Sequence, residues 1–91
     1  MSATVRIPTI LRNYTAGAGE VNADGGTLAE LLESLESNHS GIRSRILDDA
    51  GQLRRFVNVY VGDEDVRFAG GLEAPVPDGA KVSIIPAVAG G

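Results

Sequence analysis

Thr27-Leu28-Ala29-Glu30-Leu31-Leu32-Glu33-Ser34-Leu35 decides the fold. Leu28, Leu31, Leu32 and Leu35 recur at i, i+3, i+4 and i+7, so a helix gathers them into one apolar stripe. Thr27 and Glu30 stand at capping-box spacing: the Thr27 hydroxyl can accept from the Glu30 amide while the Glu30 carboxylate reaches back. Glu30 and Glu33 lie near the positive end of the helix dipole. The helix is expected to fade between Asn38 and Gly41, with Ile42 and Ile46 marking one further turn. The rest of the chain reads as strands, so this stripe must cover one face of the sheet they build.

Upstream, Ala3-Thr4-Val5-Arg6-Ile7 alternates, with Val5 and Ile7 on one face, as a half-buried strand does. Pro8 ends its ladder by removing a donor. Residues 13–19 read as a turn, and Glu20-Val21-Asn22-Ala23 as a second strand in a hairpin with the first. Asp24-Gly25-Gly26 breaks the chain before the helix. Downstream, Asp48 to Gln52 is a loop, and Phe56-Val57-Asn58-Val59-Tyr60-Val61 is the strongest strand signal. Gly62-Asp63 turns into Glu64-Asp65-Val66-Arg67-Phe68, read as a strand. Gly70 to Pro77 forms an irregular crossover, and Lys81-Val82-Ser83-Ile84-Ile85 is the last strand. The order predicts an α+β fold of β-grasp type. It has a mixed sheet of four to five strands, one main helix on one face, and the first and last strands as central neighbours. Residues 1–85 form the domain and residues 86–91 an extended C-terminal Gly-Gly tail.

The chain has 91 residues and a mass of 9.4 kDa, which leaves little room for both a core and a buried active site. A self-contained enzyme is not expected. Eight Lys and Arg against twelve Asp and Glu give a net charge of −4, which supplies no phosphate-neutralising field. Nucleic acid and anionic membrane are therefore not expected partners. With no long apolar run and no basic, apolar start, the chain reads as cytoplasmic. The absence of cysteine excludes disulfides, zinc–thiolate sites and thiol nucleophiles. His39 stands without a Ser–Asp pattern and reads as a solvated helix end. Gly62-Asp63-Glu64-Asp65 lacks calcium-loop spacing and reads as a hairpin turn. Arg54-Arg55 reads as solvated edge charge, or as a feature that steers an acidic partner.

Two features remain for function. The uncovered sheet face should carry Arg6, Phe56, Asn58, Tyr60 and Ile85, an apolar mixture that fits a partner surface. The alternative is a cross-strand pair of Phe56 with Tyr60. The second feature is the end, Pro86-Ala87-Val88-Ala89-Gly90-Gly91. Small residues on a rigid strand make a narrow rod, and glycine lets backbone pass a tight channel into another protein. The terminal carboxylate is ionised at neutral pH. Adenylation by ATP would turn it into an acyl donor, and a sulfur nucleophile would displace AMP to leave a thiocarboxylate. The same activated glycine could instead form an isopeptide with target lysines. The third reading is a β-grasp interaction module whose tail has no role.

The sequence resembles the MoaD/ThiS family of ubiquitin-like sulfur carriers, and within it the cysteine-synthesis branch. The resemblance rests on Ile7-Pro8-Thr9-Ile10-Leu11-Arg12, Phe56 to Val61, Asp63 to Phe68, Gly70-Gly71-Leu72 and Pro86 to Gly91. It implies that Gly91 is the residue adenylated and thiocarboxylated, and that Pro86, Ala87, Val88, Ala89 and Gly90 insert into partners. Phe56, Tyr60 and Ile85 are the expected partner-binding residues of the sheet. The implied partners are an E1-like adenylating sulfurtransferase of MoeB/ThiF type, a cysteine synthase-like enzyme dependent on pyridoxal phosphate that uses an activated serine, and a zinc metallopeptidase that releases cysteine. No cofactor is expected on this chain. ATP and Mg are consumed by the activating partner, and pyridoxal phosphate and zinc belong to downstream partners. Molybdopterin, thiazole and thio-sugar products are the alternative sulfur acceptors.

Overall fold

Alternation along the first segment buries Ala3 and Val5 and leaves Ser2 and Arg6 exposed, so Ser2–Arg6 forms a strand with one face inward, β1. The computed structural model describes residues 2–86. β2 (Glu20–Asp24) pairs antiparallel with β1, Arg6 opposite Glu20. α1 spans Leu28–Asn38 and α2 Arg43–Ile46. β3 (Val57–Val61), β4 (Glu64–Asp65) and β5 (Lys81–Pro86) complete a five-stranded sheet in the order β2-β1-β5-β3-β4. β1 and β5 are the central neighbours that the strand order predicts; they pair parallel, and every other pairing is antiparallel.

The core lies between the sheet and α1. Leu28, Leu31 and Leu35 of α1 and Val5, Val59 and Val82 of the sheet have no solvent exposure, with Ile42 and Ile46 equally enclosed. Burying one such side chain contributes about 1.5–3 kcal/mol, so these residues dominate stability. At the start of α1 the Thr27 hydroxyl accepts from the Glu30 amide at 3.3 Å. The Glu30 carboxylate reaches back to the Gly26 amide at 2.9 Å, one residue beyond the amide a capping box uses. Gly25 has φ +148°, and a Cβ there would stand 2.5 Å from the Leu31 amide nitrogen. The strand-to-helix corner therefore admits only glycine at this position.

Two sequence readings change. Residues 13–19 are not simply a turn: Thr9–Thr15 is a 3-10 helix, and the turn begins at Ala16, whose φ is +56°. Pro8 starts this helix with φ −66°, and Leu11 and Thr15 bury the side facing the core. The segment Glu64–Phe68 is not one strand either. β4 stops after Asp65, whose carboxylate accepts from the Arg67 amide at 2.9 Å and opens a 3-10 helix over Val66–Phe68. Val66, the first residue after that bend, is fully buried in the core. The crossover is irregular as expected. A 3-10 turn at Gly71–Glu73 precedes a stretch in which the Ala74 carbonyl accepts from Leu28 and Val76 donates to Gly26, fastening the start of α1.

Candidate functional site

Register places four of the five expected open-face residues together. Arg6 and Tyr60 flank Ser83 from either side, and Asn58 stands opposite Ile85. Glu20 and Asp65 extend the Arg6–Ser83–Tyr60 row to both edges of the sheet. Arg6 and Glu20 approach to 3.9 Å, both more than half exposed. The Arg67 guanidinium bonds the Asn58 side-chain oxygen and donates to the Arg54 carbonyl at 2.8 Å, holding the β3 end of this face. Ile85 is 47% exposed although it lies on the central strand β5.

Phe56 departs from the expectation. It lies in the turn ahead of β3, half exposed, and lines a groove with Arg54, Arg55 and Asp48. A cross-strand pair of Phe56 with Tyr60 is excluded, because Tyr60 belongs to β3 and Phe56 stands in the turn that leads into that same strand. Tyr60 faces Ser83 and Asp65 instead.

Pro86 is the last described residue and the register partner of Val57. Ala87, Val88, Ala89, Gly90 and Gly91 lie outside the described residues. Two grooves flank Pro86. One, of about 420 Å³, runs between β1 and β5 and is lined by Arg6, Pro8, Thr9, Arg12 and Ile85. The other, of about 270 Å³, is lined by Ile10, Tyr14, Arg45, Val57 and Ile84. Sequence reading missed the contribution of residues 9–15 because a 3-10 helix with two buried residues has almost no periodic signal. The available clue was Pro8 followed by Leu11 and Thr15, buried four apart.

Arg45 reaches the second groove through a chain of local constraints. The Glu36 carboxylate accepts from the Gly41 amide at 2.8 Å and from the Arg43 amide at 2.9 Å, pinning the start of α2. These bonds, the one from Gly41 first, hold the Glu36 carboxyl below the usual carboxylate range. Gly41 has φ +96°, and a Cβ there would sit 3.1 Å from the Tyr14 ring. The Tyr14 hydroxyl in turn accepts from Arg45 Nε at 2.7 Å. His39 caps the C-terminal end of α1 with its backbone, donating its amide to the Leu35 carbonyl. Among the described residues, no group of three His, Cys, Asp or Glu side chains could hold a metal, and no helix is long and apolar enough to cross a membrane.

The surface thus offers a sheet face and a strand end, and no enclosed catalytic pocket among the described residues. The family model for the ThiS family matches residues 5–91, through the terminal glycines. The chain belongs to the ThiS family. It is 55% identical over 93 aligned positions to the sulfur carrier protein CysO of Mycobacterium tuberculosis, covering the whole of both chains. A crystal structure of the Amycolatopsis orientalis BexX/CysO complex contains a chain with a TM-score of 0.92 and 55% identity, covering 98% of this chain and 99% of that one. Small archaeal modifier protein 3 of Haloferax volcanii is 35% identical over 68 positions, 75% of this chain and 73% of its own. These matches carry the ubiquitin-like β-grasp fold, and the full-length match to CysO carries the role of sulfur carrier.

Proposed function

We propose that this ThiS-family chain carries sulfur on Gly91 and acts as a protein cosubstrate rather than a catalyst. A carboxylate oxygen of Gly91 attacks the α-phosphorus of ATP in an E1-like partner of MoeB/ThiF type, and pyrophosphate leaves. A sulfur nucleophile then attacks the acyl carbonyl, AMP leaves, and a thiocarboxylate remains. Sulfur is polarisable and the thiocarboxylate anionic, so the product is a nucleophile suited to an electrophile such as an activated serine. Pro86 to Gly90 are the residues that enter partners, and Phe56, Tyr60 and Ile85 contact those partners. ATP and Mg act in the activating partner. Pyridoxal phosphate and zinc act in the enzymes that build and release cysteine. The single observation that carries this reading is the full-length match, at 55% identity, to a sulfur carrier protein, with the family model extending to Gly91.

The test is intact-mass analysis after incubation with ATP, a sulfide source and the cognate activating enzyme. The expected product has one oxygen replaced by sulfur. An unchanged mass alongside a demonstrably active partner counts against the reading. Loaded protein offered to activated serine, molybdopterin precursor, thiazole precursor and thio-sugar precursor then distinguishes the acceptors, with cysteine expected. A second reading, conjugation to lysines through Gly91, draws on the similarity to an archaeal modifier protein. Covalent ladders in cell extract that vanish on deleting Gly91 would favour it.

A further inference from the structure

Charge is distributed unevenly along the sheet. Arg6 and Arg12 line the groove shared by Ile85 and Pro86, and Arg45 lines the groove on the other side of Pro86. Arg54 and Arg55 line a third groove with Val57, the register partner of Pro86. Five of the seven arginines therefore surround the C-terminal end of β5. Three are anchored through Nε: Arg12 donates to the Ile7 carbonyl at 3.1 Å, Arg45 to the Tyr14 hydroxyl at 2.7 Å, and Arg54 to the Ser44 carbonyl at 3.0 Å. Such anchoring aims the two terminal nitrogens of each guanidinium and lowers the entropy cost of binding a carboxylate. Among the described residues, only Arg6 of these five meets a carboxylate, Glu20. Asp48 lines the third groove, but one of its oxygens already accepts from the Ala50 and Gln52 amides.

Four of the twelve acids stand at the far end. Asp24, Asp63, Glu64 and Asp78 lie at the opposite end of the sheet: Asp24 and Asp78 beside Ser2, Asp63 in the turn after β3, and Glu64 at the start of β4. The length of β5 separates the ends by about 17 Å, roughly two Debye lengths at physiological ionic strength. The net charge of −4 therefore does not cancel the local positive field around Pro86.

We propose that this arginine collar is a docking and steering surface for an acidic rim on the partner protein, set around the opening that receives the C-terminal residues. The proposal rests on the reading that this end enters a partner. A ring of carboxylates meets only the collar, whereas a long polyanion such as RNA would also run along the acidic end and be repelled. Specificity follows from the same geometry: a partner with a basic rim is rejected before the tail can enter.

The test is stopped-flow association of the full chain with the E1-like activating enzyme of the same organism, across a range of salt. Arg6→Glu and Arg55→Glu probe two separate grooves, and Arg55 makes no side-chain hydrogen bond among the described residues. Each should slow association about threefold to tenfold at low salt, with the difference closing as salt rises. Asp63→Lys and Glu64→Lys, at the other end, should leave the rate within about twofold. Unchanged melting temperatures show that folding is not the cause. A salt-insensitive rate, equal effects from both ends, or displacement of the enzyme by an RNA oligomer overturns the proposal. If the wild type associates in a salt-dependent way yet never gains sulfur, the carrier reading fails and the collar stands. If it gains sulfur while the variants associate at the wild-type rate, the collar fails alone.

Discussion

The two faces of the sheet are built from the same strands in opposite ways. On the covered face, Val5, Val59 and Val82 meet α1 with no exposure. On the open face, Arg6, Asn58, Tyr60 and Ser83 remain partly or largely accessible, and Ile85 is a half-exposed apolar residue on a central strand. Alternation makes both faces inevitable once the helix takes one of them. The covered face stabilises the domain. The open face contributes little to folding, so its chemistry is free to serve a partner.

Substitutions should separate the two faces by kind of effect. Leu35→Ala removes a fully enclosed side chain of α1 and should cost about 2–5 kcal/mol in urea denaturation, a large share of a small domain's stability. A loss under about 1 kcal/mol would mean the covered face is not the folding core. Gly91→Ala, outside the described residues, should leave melting unchanged and slow sulfur loading about a hundredfold, because the added methyl misplaces the reacting carbonyl. Loading at the normal rate removes the steric argument. Ile85→Ala should weaken partner binding by about 1–2 kcal/mol, roughly fivefold to thirtyfold in Kd, with stability shifted by less than about 0.5 kcal/mol. The reverse pattern, loss of stability with full binding, would make Ile85 part of the core.

Thr27→Ala should cost about 1 kcal/mol by freeing the Glu30 amide, measured as a lower urea midpoint at unchanged slope. The smallest effect concerns Glu36. Its folded pKa is depressed, so its contribution to stability is present above the ordinary value of 4.5 and is lost as pH falls through the lower folded value. Glu36→Gln should therefore melt below the wild type at neutral pH, and the two curves should converge in acid. Parallel curves across that range would mean that the bonds to Gly41 and Arg43 contribute nothing that depends on charge.

The helix and strands were legible where a period was strong. Four leucines placed α1, and Val57, Val59 and Val61 placed β3. That β1 and β5 are neighbours followed from strand order, since a hairpin, a covering helix and a returning strand leave few other arrangements, and the structure makes the pair parallel. The 3-10 helices were not legible. Thr9–Thr15 and Val66–Phe68 are short, and each is held by one or two residues that reach the core. The same limit hid part of the candidate site, because Arg12 comes from one of those segments and Arg45 from the four-residue α2. The alternation of its neighbours puts Phe56 on a strand, but the turn ahead of Val57 takes it out of the ladder.

By itself, the sequence determined the stripe that becomes α1, the alternation that makes each strand two-faced, and a final glycine pair able to follow a narrow path. These are local properties, set by the spacing of side chains along a helix or strand and by the missing Cβ. Only the tertiary structure decided that arginines far apart in the chain converge on Pro86 while Asp24, Asp63, Glu64 and Asp78 lie at the opposite end of the sheet. Convergence depends on which strands lie side by side and in which register, and long-range packing sets both.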